Sequence, residues 1–245
     1  MQLTGNTILI TGGSEGIGFE LAKALVPDNT VIICGRSEEK LAQAKTFLPQ
    51  VATEVCDVTD EVQRDGLVRR VLRTHPKLNV LVNNAGSRHR VDLRTGDGVD
   101  SALNSDIALN FIAPAALCTK LLNHLQSQPH AAVVNISTGL VYLPKAIQPF
   151  YCAAKSALHS YTQSLRWALQ GSSVRVFEVL MALVDTKFHQ GELPGTIKAM
   201  HPREAARLTV EGIRQDKDEI HIGKAALARW VSFAAPGKGM EIINR

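Results

Sequence analysis

The sequence predicts an α/β fold: a doubly wound parallel sheet with helices on both faces, built as one domain. Short runs rich in β-branched residues alternate with longer stretches of helical pattern along the whole chain. The strand-like runs are apolar almost throughout, as expected when helices cover both faces of a parallel sheet. The chain has 245 residues, 45% of them hydrophobic, and no linker-like stretch, so it has enough apolar material for one substantial core.

Seven segments have the length and composition of strands. They are residues 7–10, 30–34, 52–56, 79–82, 131–136, 174–179 and 219–222. The stretches between them are long enough for right-handed crossovers. In such a sheet, ligands bind beyond the carboxyl ends of the strands, so the residues that directly follow each strand are the candidate site residues.

Composition restricts the possible partners and compartment. The net charge of +4 is modest and the arginines are dispersed, which argues against a nucleic-acid partner. No unbroken apolar run of bilayer length and no secretory pattern at the N-terminus are found, so we expect a soluble, cytoplasmic protein without a membrane partner. The four cysteines are scattered without a C-x-x-C pair, which predicts neither a disulfide framework nor a metal site.

A glycine-rich turn at residues 11–18 joins the first strand to an apolar helix. Gly12 permits a sharp turn, Gly16 lets backbone approach a pyrophosphate, and Gly18 lets the helix pack close to the strand. The helix N-terminus offers free N–H groups and a positive dipole to the phosphates. A flexible loop entering a helix also collects glycines, but the βαβ unit that follows favours a Rossmann-type dinucleotide site. The other loop residues predicted to line the cofactor are Ser14, Glu15 and Ile17.

Arg36 follows the second strand, where an NAD-selecting enzyme usually places a carboxylate. Its guanidinium is a permanently charged donor fork suited to a 2′-phosphate, with Ser14 and Ser37 as neutral donors beside it. The sequence therefore predicts a preference for NADP(H) over NAD(H). The alternative is a solvated helix-entry arginine paired with Glu38 or Glu39.

Two further strand ends supply candidate cofactor contacts. After the third strand, Asp57 is placed to accept from an adenine amine and Val58 to pack on the ring, although a helix-capping role for a nearby Asp or Thr fits equally. After the fourth strand, residues 83–86 read Asn-Asn-Ala-Gly. Ala85 and Gly86 let backbone approach the cofactor and the Asn84 amide can bridge strand ends; an ordinary turn has the same composition.

Tyr151 and Lys155 are the candidate catalytic pair. Their spacing of four places both on one face of a helix. A phenol titrates near ~10, and a neighbouring ammonium is expected to lower that pKa, which makes the tyrosine a usable general acid and base. A half-buried tyrosine beside a solvated lysine has the same spacing, but the upstream glycine turn favours the catalytic interpretation.

These motifs together resemble the short-chain dehydrogenase/reductase family. T-G-x-x-x-G-x-G at 11–18, N-N-A-G at 83–86, a serine-containing strand end at 137 and Y-x-x-x-K at 151–155 occur in the family's order and cover essentially the whole chain. The local sequences at residues 3–12 and 31–36 further resemble those of the DltE-like oxidoreductase branch. The resemblance implies one Rossmann-type domain over 1–245 that binds a nicotinamide dinucleotide.

The resemblance also implies a four-residue relay: Asn110, Thr138, Tyr151 and Lys155. Tyr151 would donate the proton, Thr138 steady the substrate oxygen, Lys155 bind the nicotinamide ribose, and Asn110 hold a water of the proton path. The family has the second serine of an S-S pair at position 138; threonine keeps the hydroxyl but adds a methyl and restricts χ1. Ser137, the neighbour, is expected to face the other way.

The implied reaction is hydride transfer between nicotinamide and a carbonyl or secondary alcohol of a small metabolite, most simply a ketoreductase. A catalytically silent NADP(H)-binding protein and a non-redox enzyme on the same scaffold remain alternatives, since the serine and a Pro-Gly turn after the sixth strand are replaced. In that second departure, Met181 and Ala182 stand where relatives carry Pro-Gly. Val184 and Thr186 keep the expected contacts with the nicotinamide carboxamide.

Substrate and assembly are less specified. Residues 187–200 are predicted to form a mobile substrate lid. Arg88, His89 and Arg90 would suit an anionic substrate or form a solvated loop, and Tyr142 and Phe150 are pocket wall or core packing. By the resemblance, a homodimer or homotetramer is expected through the helices that carry Asn110 and Tyr151.

Overall fold

Seven parallel strands form one sheet in the computed structural model, which describes residues 1–186, 188 and 199–245. The strands are β1 Thr7–Thr11, β2 Thr30–Gly35, β3 Ala52–Val55, β4 Leu78–Asn83, β5 Ala131–Thr138, β6 Val174–Met181 and β7 Glu219–His221. Their order across the sheet is β3-β2-β1-β4-β5-β6-β7. The order reverses between β1 and β4, and this switch point opens a crevice at the carboxyl ends of the strands.

Helices cover both faces of the sheet. They are α1 Gly16–Leu25, α2 Glu38–Phe47, α3 Glu61–Thr74, α4 Val99–Ile107, α5 Ala113–Gln126, α6 Pro149–Ala168, α7 Pro202–Arg214, α8 Ala225–Ala234 and α9 Pro236–Asn244. A π-helical turn, Ala108–Ile112, joins α4 to α5, and a 3-10 turn, Gly139–Val141, follows β5. The doubly wound parallel fold predicted from the sequence is confirmed.

All seven strands are where the sequence places them, and their ends differ from the predicted bounds by one or two residues. β5 and β6 continue to Thr138 and Met181, because backbone pairing between these two residues extends the ladder beyond the apolar run. β3 stops at Val55, before Cys56. The longer β5 carries Thr138 to the rim of the crevice.

Side-chain alternation along each strand divides the core into two layers. Ile8 and Ile10 of β1 face α1, α2 and α7, whereas Leu9 between them faces α3, α5 and α6. All five β1 residues are buried, as the apolar pattern of a two-sided sheet requires.

The continuous helical stretch Val99–Gln126 has the length and composition of a membrane span, with a mean hydropathy of 1.3 over its most apolar window. The sequence expectation overlooked it because Asp106, Asn110 and Asn123 interrupt the apolar run. In the fold, Asp106 and Asn110 are fully buried and hydrogen-bonded. The absence of a membrane partner stays a prediction.

Candidate active site

The glycine turn between β1 and α1 is as tight as predicted. Gly12 has a φ of +65°, and a Cβ there would lie 2.9 Å from the Cα of Ala85. A Cβ on Gly18 would lie 2.3 Å from the Gly12 carbonyl oxygen, so only glycine lets α1 approach β1 this closely. Gly16 has a φ of +60° and faces Thr186, whose methyl would be 3.4 Å from an added Cβ. The loop thus forms a cradle of bare backbone that Thr186 faces.

The Asn-Asn-Ala-Gly segment ties this turn to the centre of the sheet. Thr11 Oγ1 accepts from the backbone N–H groups of Asn84 and Ala85, both at 3.0 Å. The Asn84 amide donates to the carbonyls of Thr11 at 2.9 Å and Gly12 at 3.1 Å. Asn83 donates to Asn135 Oδ1 at 2.8 Å. The bridging role expected of these amides is confirmed.

Two cationic side chains lie just after β2: Arg36 in the loop and Lys40 in the first turn of α2. The Arg36 side chain is 73% exposed, and its Nη1 lies 3.9 Å from Asp57 Oδ2; the alternative pairing with Glu38 or Glu39 is not found. Lys40 Nζ donates to Glu15 Oε1 at 2.9 Å. Sequence reasoning missed Lys40, although its place in the first turn of α2, one turn after Arg36, was the available signal.

Ser37 and Asp57 each have a local structural partner. Ser37 caps α2 by accepting from the Lys40 N–H at 3.2 Å. Asp57 accepts from both the backbone N–H and the hydroxyl of Thr59, and the cap of α3 is Asp60. Val58 is buried in the core, so its contact with an adenine ring stays a prediction.

Tyr151, Thr138 and Lys155 meet at the carboxyl ends of β5 and β6. All three are buried, and the Thr138 hydroxyl lies near enough to the Tyr151 phenol to lower its pKa. Thr138 Oγ1 also lies 3.4 Å from the Met181 carbonyl oxygen and accepts from the Leu140 N–H at 3.3 Å. The buried Ser137 hydroxyl has no polar partner among the described residues. The predicted choice of Thr138 over Ser137 as the partner of Tyr151 therefore agrees with the geometry.

The electrostatics of this pair correct one expectation. Burial raises the pKa of the Tyr151 phenol, and the hydrogen bond with Thr138 and the charge of Arg88 only partly oppose that rise. Burial also lowers the pKa of Lys155 to about 8, against the charges of Glu178 and Asp106. Lys155 Nζ donates to the Ile136 carbonyl at 2.8 Å. The predicted lowering of the tyrosine pKa by Lys155 is wrong for this structure, in which burial dominates.

Asn110 lies in the π-helical turn between α4 and α5, and such single-turn bulges are frequent at functional sites. Its amide donates to the carbonyls of Ser87 at 2.8 Å and Asp106 at 2.9 Å, and its Oδ1 lies 3.3 Å from the Ser87 N–H. An added Cβ on Gly86 would meet this Oδ1 at 2.9 Å. Asn110 therefore fixes the backbone that follows β4; its water-holding role stays a prediction.

Asp106 is a residue that sequence reasoning missed. It is fully buried, and it accepts from the Ser87 hydroxyl at 3.0 Å and the His89 N–H at 3.2 Å. The His89 ring Nδ1 lies 2.7 Å from Asp106 Oδ1. The available signal for Asp106 in the sequence was a carboxylate four residues before Asn110, on an otherwise buried helix face.

Arg88 contacts Phe188 beside Tyr151. The Arg88 guanidinium carbon lies 5.7 Å from the Phe188 ring centre, and Nε donates to the Phe188 carbonyl at 3.3 Å. The Phe188 ring is 5.9 Å from that of Tyr151. Tyr142 instead hydrogen-bonds His221 at 3.1 Å, and Phe150 is half-buried on α6.

The nicotinamide-side residues are partly described. β6 runs on through Met181, and Val184 bridges to Met200. Thr186 lies opposite Gly16, and its contact with the cofactor stays a prediction. Of the predicted lid at 187–200, the structure describes residues 188, 199 and 200; the rest lies outside the described residues.

Sheet topology and site geometry define an enzyme class: a Rossmann-type domain with a buried tyrosine, lysine and hydroxyl at the switch-point crevice. Residues 6–195 match the short chain dehydrogenase family. The chain is 44% identical over 224 residues to the uncharacterized oxidoreductase DltE of Bacillus subtilis (strain 168), covering 90% of this chain and 89% of that one. This protein therefore belongs to the short-chain dehydrogenase/reductase family, in the DltE-like branch, as the sequence predicts.

More distant similarities also extend over most of the chain. A fatty acyl-CoA reductase of Acinetobacter baylyi is 26% identical over 233 residues, 92% of this chain and 79% of that one. A short chain dehydrogenase of Burkholderia cenocepacia solved with NADP superposes with a TM-score of 0.86 at 23% identity, covering 99% of both chains. A Burkholderia phymatum family member solved with NAD gives a TM-score of 0.86 at 19% identity, covering 100% of this chain and 97% of that one.

Proposed function

We propose that this protein is an NADP(H)-preferring oxidoreductase that interconverts a carbonyl and a secondary alcohol of a small organic molecule, with ketone reduction as its main direction. The observation that carries the proposal is the buried Tyr151 phenol, which lies beside the Thr138 hydroxyl and on the same helix as the buried Lys155. A protein that only bound a dinucleotide would gain nothing from burying a phenol, a hydroxyl and an ammonium at one strand end.

The crevice fits a dinucleotide. Gly12, Gly16 and Gly18 present backbone that a β-carbon would obstruct or strain, and α1 begins there with free N–H groups. Thr186 faces this cradle from the other side. A nicotinamide dinucleotide bound there would supply or accept the hydride.

The chain's own groups handle the proton. Because burial raises its pKa, Tyr151 is protonated near pH 7 and suited to donate to a developing alkoxide. Thr138 is placed to hold the same oxygen. Lys155, with a pKa of about 8, is mostly charged at neutral pH and would hold the nicotinamide ribose. In the reverse direction the same groups take the proton back.

The preference for NADP(H) rests on Arg36 and Lys40. Both are exposed cations at the start of α2, beside Glu15 and Asp57. The related structures bind one cofactor or the other, NADP in one case and NAD in another, so the fold itself does not select. The Arg36 guanidinium and the Lys40 ammonium group favour binding of the additional 2′-phosphate of NADP(H).

The first experiment is a fluorescence titration of the purified protein with NADPH and NADH. Arg36→Asp is expected to weaken NADPH binding about tenfold or more, since a hydrogen bond to a charged group contributes roughly 1.5–3 kcal/mol, and to change NADH binding much less. Equal losses for both cofactors would contradict the assignment of Arg36. Lys23→Asp, in the last turn of α1, is the matched charge control.

Turnover separates the proposal from its alternatives. A carbonyl screen with NADPH should give oxidation of the cofactor that Tyr151→Phe abolishes while leaving NADPH affinity unchanged. Binding without turnover across the screen favours the silent binder, and product formation with an unchanged cofactor spectrum favours a non-redox enzyme.

The setting of the enzyme is part of the proposal. All four cysteines are free and buried, in keeping with the reducing cytoplasm. The substrate is a small molecule and the assembly a homodimer or homotetramer, with no nucleic-acid or membrane partner.

A further inference from the structure

Four polar residues occupy matching positions on neighbouring strands of the sheet. Asn83 pairs in register with Asn135, Asn135 with Glu178, and Glu178 with Glu219. Because residues in register on parallel strands share a face, these side chains form a row beneath α6. The two asparagines bond to each other, and Asn135 donates to Thr162 of α6 at 2.9 Å. The row ends in two adjacent carboxylates.

His159 of α6 completes a cluster with these carboxylates. Its Nδ1 lies 2.7 Å from Glu178 Oε2. His159, Glu178 and Glu219 each offer one ligand atom, and the three atoms lie within 4.8 Å of one another. The cluster stands one helical turn beyond Lys155 and belongs to none of the groups assigned to the proposed reaction.

Glu178 is left with an unsatisfied oxygen. The residue is fully buried, and its Oε1 has no hydrogen-bond partner among the described residues. A buried carboxylate oxygen without a partner is costly, and a single histidine N–H satisfies only the other oxygen. Glu219 is held at one oxygen by Arg229, at 3.1 Å.

We propose that His159, Glu178 and Glu219 bind a divalent transition-metal ion, with Zn²⁺ as the best fit. One imidazole nitrogen and two carboxylate oxygens give three protein ligands, with a fourth position for water. The two carboxylates neutralise the ion's charge, and the orphaned Glu178 oxygen gains a partner. Binding at Nδ1 requires the neutral ring with its proton on Nε2, so the Nδ1 proton is lost to solvent from the charged ring or moves to Nε2 in the neutral ring.

The surroundings supply the outer contacts that metal ligands usually have. The Gln163 side-chain amide lies 3.2 Å from His159 Nε2 and, with its oxygen turned toward the ring, accepts from Nε2–H while the metal holds Nδ1; Arg229 orients Glu219. The His159 and Glu219 side chains are each 19% exposed, which leaves a path from solvent. The sequence does not reveal this site, because its ligands are far apart in the chain and come from a helix and two strands.

The site would fix the helix that carries Tyr151 and Lys155 to β6 and β7. Without a metal, the same residues form two ion pairs, His159 with Glu178 and Arg229 with Glu219. These two interpretations predict different responses to added metal.

The test is a Co²⁺ titration of the full chain after treatment with a chelator, followed by visible d–d absorption. We expect saturable binding of one Co²⁺ per chain, displacement by Zn²⁺, and a higher Tm with Zn²⁺. His159→Gln and Glu219→Gln should each weaken binding about tenfold or more, since each removes one of three ligands. His130→Gln, at an exposed histidine, should leave binding unchanged.

Three results would overturn the proposal. No saturable absorption, or binding that persists in both His159→Gln and Glu219→Gln, would show that the cluster is a pair of ion pairs only. Thiolate charge-transfer absorption would place the metal on a cysteine instead. If His159→Gln does not fold, Glu219→Gln decides alone, because its side chain is partly exposed and its loss opens no large cavity.

Discussion

Thr138 holds the position at which the family carries serine, and its hydroxyl lies beside the Tyr151 phenol. Thr138→Ser should therefore stay within a few-fold of wild-type kcat/KM, whereas Thr138→Ala should lose about a hundredfold or more, the usual cost of removing a donor that stabilises a developing oxyanion. The measurement is steady-state kinetics with the substrate found in the carbonyl screen. Ser137→Ala is the control, and a larger loss there would move the assignment by one residue.

Lys155 makes the stability of the fold depend on pH. Its pKa falls from 10.5 in the unfolded chain to about 8 in the folded one, so between these values the unfolded chain binds more protons. Stability from this group therefore rises as pH increases from about 8 to 10.5, and the cost of burying the charge is full below 8.

Lys155→Met tests that dependence, since methionine fills a similar volume without a charge. The Tm of wild type minus that of the variant should increase between pH 7 and pH 10. The size of the pKa shift corresponds to a change of about 3 kcal/mol in the free energy of unfolding. The weaker hydrogen bond from neutral Lys155 to the Ile136 carbonyl reduces this gain. A difference in Tm that is flat across this range would contradict the buried-charge account.

At the scale of elements, the close packing of α1 against β1 depends on Gly18. A methyl there would lie 2.3 Å from the Gly12 carbonyl oxygen and 2.5 Å from Asn84 Nδ2. Gly18→Ala should cost about 1–3 kcal/mol by forcing these groups apart, and should weaken NADPH binding because the cradle moves. Thermal melts and the NADPH titration measure both effects.

Gly237→Ala is the matched control for Gly18→Ala. Gly237 also lies near the start of a helix, has no atom within 4 Å of an added Cβ, and has no positive φ. Its replacement by alanine should leave the Tm unchanged or slightly raised, since alanine is the better helix former. An equal loss in both variants would mean that close packing at Gly18 is not the cause.

At the scale of the whole molecule, local patterns predicted the sheet and the motif residues, and contacts between distant segments supplied the rest. The seven strands follow from apolar runs, and the glycine turn follows from its spacing. Asp106 was missed because its partners, Ser87 and His89, belong to another segment. The pKa of Tyr151 was predicted in the wrong direction because burial, which raises it most, is not visible in a four-residue spacing.

Assembly is the remaining property of the whole molecule, and exposed apolar residues on the helical layer of Asn110 and Tyr151 bear on it. Ile112 and Trp167 are 49% and 72% exposed there. A homodimer that buries them gains apolar burial at about 25 cal/mol per Å². Trp167→Glu should therefore shift the protein toward monomer in light scattering at low micromolar concentration. Phe47→Glu on α2, exposed to 77% but on the opposite face of the sheet, should not, because only the α5 and α6 layer is expected to pair.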